Sequence, residues 1–181
     1  MFEGLYLLKP KVFNDDSGYF MESWNRKIIL NILKKDIDFC QDNLSFSKQG
    51  VLRGLHFQKD PFAQDKLVSC IQGSIFDVAV DLRSNSKTFG KWVGVFLNDR
   101  DNEQLFIPKG FANGFLTLSE SAYVKYKTTE YYSFESERYV IWNDKVLKIR
   151  WPLNKINFRN PIVSKKDSNG DIFEKDFIYF K

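Results

Sequence analysis

The stretch VLRGLHFQ, residues 51–58, carries the sole histidine of the 181-residue chain, His56. An imidazole near neutral pH can take and return a proton, bind a metal, or act as a plain hydrogen-bonding group. Transition-metal sites draw on clusters of histidine, cysteine and carboxylate. One histidine and two cysteines, Cys40 and Cys70, that fit no paired spacing do not supply such a cluster, whereas a carboxylate-only magnesium or calcium site stays open. The chain also lacks a glycine-rich dinucleotide loop, a phosphate-binding P-loop and a serine nucleophile elbow. Proton transfer is what remains for His56. A base of that kind needs a carboxylate partner, a cation for the charge it creates, and a separate acid.

Strands are good supports for such groups, because alternate side chains project from a rigid backbone into a barrel interior. The sequence between Lys66 and Tyr132 reads as strands. In LVSCIQGSIFDVAVDLR, Ile75, Asp77, Ala79 and Asp81 take one face and Phe76, Val78 and Val80 the other, with Gly73 marking a turn. KWVGVFLNDRDNEQLFIP reads as strand, polar turn, strand, and SAYVKYKTTEYY as another strand. Many short strands with tight turns point to an all-β sandwich or barrel. One helix is expected in NRKIILNILKKD, where Ile28, Ile29, Ile32 and Leu33 recur at helical spacing to pack on a sheet, with Lys34 and Lys35 at the carboxyl end. After WPL the tail turns polar and irregular, and is expected to wrap the barrel as part of a single domain spanning 1–181.

Composition narrows the class. At 43% hydrophobic and 17% aromatic the chain has ample material for one core. Its net charge of +4 comes from 27 basic and 23 acidic residues that are interleaved, which speaks against a nucleic-acid-binding block. No apolar run approaches the roughly 20 residues needed to cross a bilayer, and the start lacks a signal pattern, so the expectation is a cytoplasmic protein with no membrane partner. Both cysteines are expected to be buried free thiols.

In order along the chain, QDNLSFS, GVLRGLHFQ, QDKLV, GSIFDVAVDLR, FGKWVGVFL, IPKGFANGF, YKTTEYY and IWND resemble the dTDP-4-dehydrorhamnose 3,5-epimerase family of nucleotide-sugar enzymes. The resemblance covers nearly the whole chain. It implies a cupin-like jelly-roll β-barrel, neither metal nor organic cofactor, and a homodimer in which the amino-terminal strand of one subunit helps complete its neighbour's site. It further implies a nucleotide-diphosphate 4-keto sugar as substrate. The ketone acidifies hydrogens on both adjacent carbons, so a base can remove one to give an enolate that is reprotonated on the other face. On the matching positions, His56 is the base, Asp167 in the tail 152–181 its orienting carboxylate, Lys66 the support of the enolate oxygen, and Tyr126 the proton donor. Arg53 matches the diphosphate grip, and Tyr132 the aromatic that stacks on the nucleotide base. Glu22, Gln41, Asn43, Asn113, Glu137 and Lys166 fall on further binding positions.

Two positions depart from the family's pattern. FANGF stands where the family has FAHGF, so the neutral amide of Asn113 replaces a second histidine in the sugar pocket. DDSG stands where an arginine is usual, which puts Ser17 at a phosphate or nucleotide contact and removes about 1.5–3 kcal/mol of charged hydrogen bonding. These departures favour a GDP-linked 4-keto heptose of capsule synthesis as substrate, with Asn113 meeting the extra hydroxyl. The alternatives are the thymidine-linked rhamnose precursor, inversion at carbon 3 alone, a 3,4-ketoisomerase, and a non-catalytic sugar-nucleotide-binding jelly roll. The last needs no acid, base and enolate cation together.

Overall fold

The computed structural model describes residues 1–180. In chain order its elements are β1 (Tyr6–Leu8), β2 (Val12–Asp15), β3 (Gly18–Met21), α1 (Arg26–Leu33), β4 (Gln41–Lys48), β5 (Val51–Gln58), β6 (Lys66–Gln72), β7 (Ser74–Asp81), β8 (Trp92–Asn98), β9 (Gln104–Ile107), β10 (Phe111–Thr117), β11 (Ser121–Thr128), β12 (Glu137–Tyr139), β13 (Ile162–Val163) and α2 (Lys165–Ser168). One antiparallel sheet runs β1-β9-β6-β11-β4, and a second runs β12-β5-β10-β7-β8 with β13 joining β5 in parallel. The two sheets face each other as a β-barrel, as the strand-rich sequence predicts, with the jelly-roll form that the family resemblance implies. β2 and β3 form a separate hairpin.

The chain changes sheet at Gly73, whose φ of 84° lies in the left-handed region. A side chain there would meet the Ser121 carbonyl at 2.2 Å, so only glycine permits the crossing from β6 to β7. On β7 the two predicted faces are both buried. Ile75 and Ala79 pack between the sheets with Val68, Cys70, Leu105, Ala122 and Val124. Phe76, Val78 and Val80 pack outward against Trp151 and against Phe173 and Phe180, which the tail supplies. Each such aromatic contributes about 1.5–3 kcal/mol on burial, so the polar tail is fastened by a few large apolar residues.

The helix forms where expected, with Asn25 as its N-cap accepting from the Ile28 amide and Lys34 in the left-handed conformation at its end. The expected four-residue apolar face is corrected to half that width. Ile29 is buried and Leu33 packs beside it against Leu67, Phe106, Trp24 and Phe39, whereas Ile28 and Ile32 are 45% and 55% exposed. Residues 28 and 32 lie one turn apart on one line of the helix, and 29 and 33 on the next; only the second line touches the sheet. Of the cysteines, Cys70 is buried as expected, but Cys40 is exposed just before β4. No helix of the described residues is long and apolar enough to cross a membrane.

Candidate active site

The histidine strand contains an irregularity that decides what shares its face. Arg53 lies opposite Phe115 and His56 opposite Asn113, so three steps on β5 span two on β10. The extra residue is a bulge, and it turns Arg53 and His56 to the same side of the sheet. The close approach is made by two glycines: a Cβ on Gly54 would lie 2.5 Å from the Gly114 Cα, and Gly54 has φ 122°. The GL of RGLH therefore has a backbone duty.

The Nε2 of His56 donates to Oδ1 of Asp167. Asp167 is buried and sits in α2, where Ser164 caps the helix. The Ser164 hydroxyl donates to Asp167 Oδ2 at 2.9 Å and accepts from the Asp167 amide at 3.0 Å. Burial pushes the Asp167 carboxyl up, but the hydrogen bond and charge of His56, the Ser164 hydroxyl and the Gly54 backbone together hold it below the ordinary aspartate value. With Nε2 engaged by a carboxylate, Nδ1 is the nitrogen left to exchange a proton. Tyr139, directly opposite His56 on β12, sets its ring edge-on to the imidazole at 5.1 Å between centroids.

Across the barrel, β6 and β11 present the other groups. Tyr126 is in register with Asn43 and Val68, and Thr128 with Gln41 and Lys66, so these residues share one face. His56, Lys66, Tyr126, Gln41, Asn43, Tyr132 and Glu137 line one cavity of about 340 Å³, a volume in the range of small-ligand sites. Burial pulls Lys66 down to about 8, against the raising charges of Asp77 and Glu137, and its Nζ donates to the His56 carbonyl at 3.4 Å. Burial likewise raises the Tyr126 phenol; Arg53 lowers it in part, while Glu137 adds to the rise. A protonated phenol, a cation and a carboxylate-backed imidazole around one pocket can remove a proton next to a carbonyl, hold the resulting oxyanion, and return a proton from another direction.

At the rim, Gln41 Nε2 donates to Asn43 Oδ1 at 2.7 Å, and Gln41 Oε1 accepts from the Tyr132 amide at 3.2 Å. Glu137 Oε2 accepts from the Tyr132 hydroxyl and from Lys166 Nζ, both at 2.7 Å. Burial raises Glu137, but these donors and Tyr139 bring it below the usual carboxylate range. Tyr132 keeps its ring half exposed at 53%, available for stacking. Arg53 stands outside the cavity lining, its guanidinium anchored to the Ser47 hydroxyl at 3.0 Å and the Phe46 carbonyl at 3.2 Å.

Two of the expected site residues take other partners within this chain. Glu22 does not join this cavity; it lies by the Trp24–Asn25 turn beside another groove and accepts from Asn25 Nδ2 at 3.1 Å. The reason is topological, since the β2–β3 hairpin that precedes it pairs with neither sheet. Asn113 was expected to offer both donor and acceptor, yet its amide nitrogen is spent on Asp77 Oδ1 at 2.8 Å and the Val78 carbonyl at 3.1 Å. Only its oxygen is left for a ligand. Sequence reasoning missed Tyr139, Ser164 and Asp77. Ser164, three residues before Asp167, carries a helix-capping signal that could have been read; Asp77 looked like one more alternating polar residue.

The fold and site define an acid–base arrangement in a two-sheet barrel. The comparisons with known proteins place it. A family model described as dTDP-4-dehydrorhamnose 3,5-epimerase matches residues 1–175, and the chain belongs to that family. It is 50% identical over 167 residues to the dTDP-4-dehydrorhamnose 3,5-epimerase of Shigella flexneri, covering 92% of this chain and 90% of the relative. The crystal structure of the Elizabethkingia anophelis dTDP-4-dehydrorhamnose 3,5-epimerase superposes with a TM-score of 0.89 at 46% identity, over 98% of this chain and 95% of that one. That of the Legionella pneumophila dTDP-6-deoxy-D-glucose-3,5-epimerase, in complex with dTDP-4-keto-L-rhamnose, gives 0.88 at 44%, over 94% and 88%. The enzyme is an isomerase, an epimerase of nucleotide keto sugars, with the cupin-like fold of these relatives.

Proposed function

We propose that the substrate is a thymidine-diphosphate-linked 4-keto-6-deoxyhexose, inverted at carbons 3 and 5. The carrying observation is the Asp167-backed His56 facing the cavity that Lys66 and Tyr126 also line. His56 takes the hydrogen next to the ketone, the Lys66 ammonium holds the enolate oxygen, and Tyr126 returns a proton to the opposite face. Atoms and electrons balance without an oxidant, since the hydrogen lost to one group comes back from another. Arg53 grips the diphosphate, Tyr132 stacks on the base, and Gln41, Asn43, Glu137 and Lys166 order the rim.

The names of the relatives favour thymidine over the GDP-linked heptose read from Ser17 and Asn113. The geometry weakens that earlier reading as well. Ser17 sits at the exposed tip of the hairpin with its hydroxyl on Asp15, and Asn113 commits its amide to the protein interior. The 3,5-epimerase names of the more similar relatives support inversion at both carbons, against the 3'-monoepimerase that shares the fold at 29% identity. Titration with dTDP and GDP, followed by turnover of a dTDP-4-keto-6-deoxy sugar in deuterated water, tests the reading. Tighter dTDP binding and deuterium at two carbons are expected; preferential GDP binding, or no uptake, would overturn it.

A homodimer belongs to the same proposal. The outer face of the β4-bearing sheet exposes Leu44 at 62%, Phe46 at 47% and Ile71 at 49%, an apolar surface suited to a second copy. The hairpin, with Phe13, Tyr19 and Phe20 exposed, is placed to reach over such a neighbour and bring Glu22 to its site.

A further inference from the structure

The mechanism leaves one buried acid unexplained. Asp65, Asp81, Asp144 and Asp167 are also buried, and each uses both carboxylate oxygens: Asp65 on Lys35 and the Lys109 amide, Asp81 on Arg83, Ser86 and Thr88, Asp144 on three backbone amides, and Asp167 on His56 and Ser164. Asp77 differs. It is completely buried, its Oδ1 accepts only from Asn113, and its Oδ2 has no partner among the described residues. A half-satisfied carboxylate in a sealed core is costly and calls for a reason.

Its position supplies one. Asp77 shares the interior face of β7 with Ile75 and Ala79, which pack against Val68 and Cys70 of the strand that begins at Lys66. Lys66 Nζ donates to the carbonyl of His56, His56 lies opposite Asn113, and Asn113 bonds Asp77, which brings the lysine and the acid to one end of the interior, where the charges of Asp77 and then Glu137 act on Lys66. The remaining titratable neighbours at this end are His56 on β5 and Tyr126 on β11, while Cys70 feels Asp77 but, pushed up to about 12 by burial, stays a neutral thiol. Glu137 is already shared between Tyr132 and Lys166. Among the described residues, Lys66 is the cation that acts on Asp77.

We propose that Asp77 is the counter-charge of Lys66, and that Asn113 holds it in the accepting form, so that the ammonium stays charged in the dry pocket where it must meet the enolate. Asp77 is a positioning residue that acts through Lys66 and touches no substrate. Asn113 suits the task because an amide nitrogen can only donate, whatever the pH. Burial drives Asp77 up to about 7, against the lowering effects of the Asn113 hydrogen bond, the Lys66 charge and the Val78 backbone. Without that amide the acid would take up a proton, and Lys66 would lose its support.

This inference rests on the enolate role given to Lys66, and the test separates the two. Solvent deuterium uptake into a dTDP-4-keto-6-deoxy sugar is followed against pH for wild type, Asp77→Asn and Asn113→Ala, with dTDP affinity measured in parallel. The alkaline limb is expected to move at least one pH unit lower in Asp77→Asn, a loss of about fivefold or more at pH 8, and less far in the same direction in Asn113→Ala, with dTDP affinity within twofold. Limbs that superimpose on the wild type, with only a uniform drop, would overturn the proposal. Should Asp77→Asn not fold, the wild-type Lys66 side chain, carbon-13 labelled at Cε and assigned by its absence in Lys66→Met, decides by NMR: a two-step titration supports coupling to Asp77, and a single step overturns it. Wild type that takes up no deuterium yet shows the two-step titration would sink the functional reading and leave the coupling standing.

Discussion

Asp167 and His56 stand 111 positions apart in the sequence, and a hydrogen bond joins them. The carboxylate comes from the tail and the imidazole from a central barrel strand, so the base is assembled only when the tail has docked. The bond fixes which ring nitrogen carries a proton and favours the imidazolium formed after proton abstraction.

His56→Asn removes the base while keeping a polar side chain of similar size. Solvent exchange at the carbons next to the ketone should fall by about 10²–10⁴, the usual worth of a positioned general base, with dTDP affinity nearly unchanged. Mass spectrometry of product formed in deuterated water measures this, and wild-type exchange in the variant would remove His56 from its role.

Asp167→Asn should lower turnover and change the acid side of the stability profile. Asp167 is held below the ordinary aspartate value in the folded protein, so its contribution is fully present above the unfolded value of about 3.9 and is lost as pH falls through the folded one. The gap in melting temperature between wild type and variant should therefore be widest near neutrality and close in strong acid. A gap independent of pH would show that the carboxylate charge is not what stabilises the pair.

Lys66 sets the alkaline limit. Its ammonium titrates near 8 in the folded protein because burial outweighs the charges of Asp77 and Glu137, so kcat should decline as pH rises through about 8. Lys66→Met should cost about 10²–10³ in kcat, the loss seen when an oxyanion-stabilising group is removed. The variant leaves Asp77 buried without its counter-charge, so it should also melt lower than wild type at pH 7, and the gap should narrow in acid, where Asp77 is protonated. A gap that stays the same at every pH would show that Lys66 does not offset the Asp77 charge.

Gly54→Ala probes the bulge. The new methyl group would meet the Gly114 backbone at 2.5 Å on a residue with φ 122°, and about 1–3 kcal/mol of strain is expected. Denaturant unfolding reads the loss directly. Activity should fall further than stability alone requires, because Arg53 and His56 share a face only through this irregularity.

Leu44→Lys and Phe46→Glu place charge on the exposed outer face of β4. If that face meets a second copy, both variants should shift sedimentation toward the monomer and weaken activity through the lost contribution of the neighbour's hairpin. Unchanged sedimentation would move the interface elsewhere.

Much of the barrel was legible because period-two alternation in residues 66–132 reports strands whatever their partners. Asp77 shows where this ends. Alternation placed it on a face with Ile75 and Ala79, but a strand buried on both sides has no solvent face, and the pattern does not say which aspartate is spent on a loop and which is enclosed near a lysine. The partnership of Asp167 with His56 was reached through family resemblance, since nothing local links residues so far apart. Glu22 lies away from its own chain's cavity, and motif position carries no information about whether a hairpin packs on its own barrel or a neighbour's. The width of the helix face was overread for a related reason: four isoleucines and leucines at helical spacing do not reveal how much of the helix a sheet can cover.

The docking of residues 164–180 onto the second sheet also orders events during synthesis. A ribosome will have made every strand of both sheets but β13, and every cavity-lining group, well before Asp167 emerges, and Phe180, which seals the outer core beside Phe57, follows later still. Each nascent chain thus holds its pocket without a working base until Asp167 has been added, and proteolytic cleavage ahead of that residue would return a folded molecule to that silent condition.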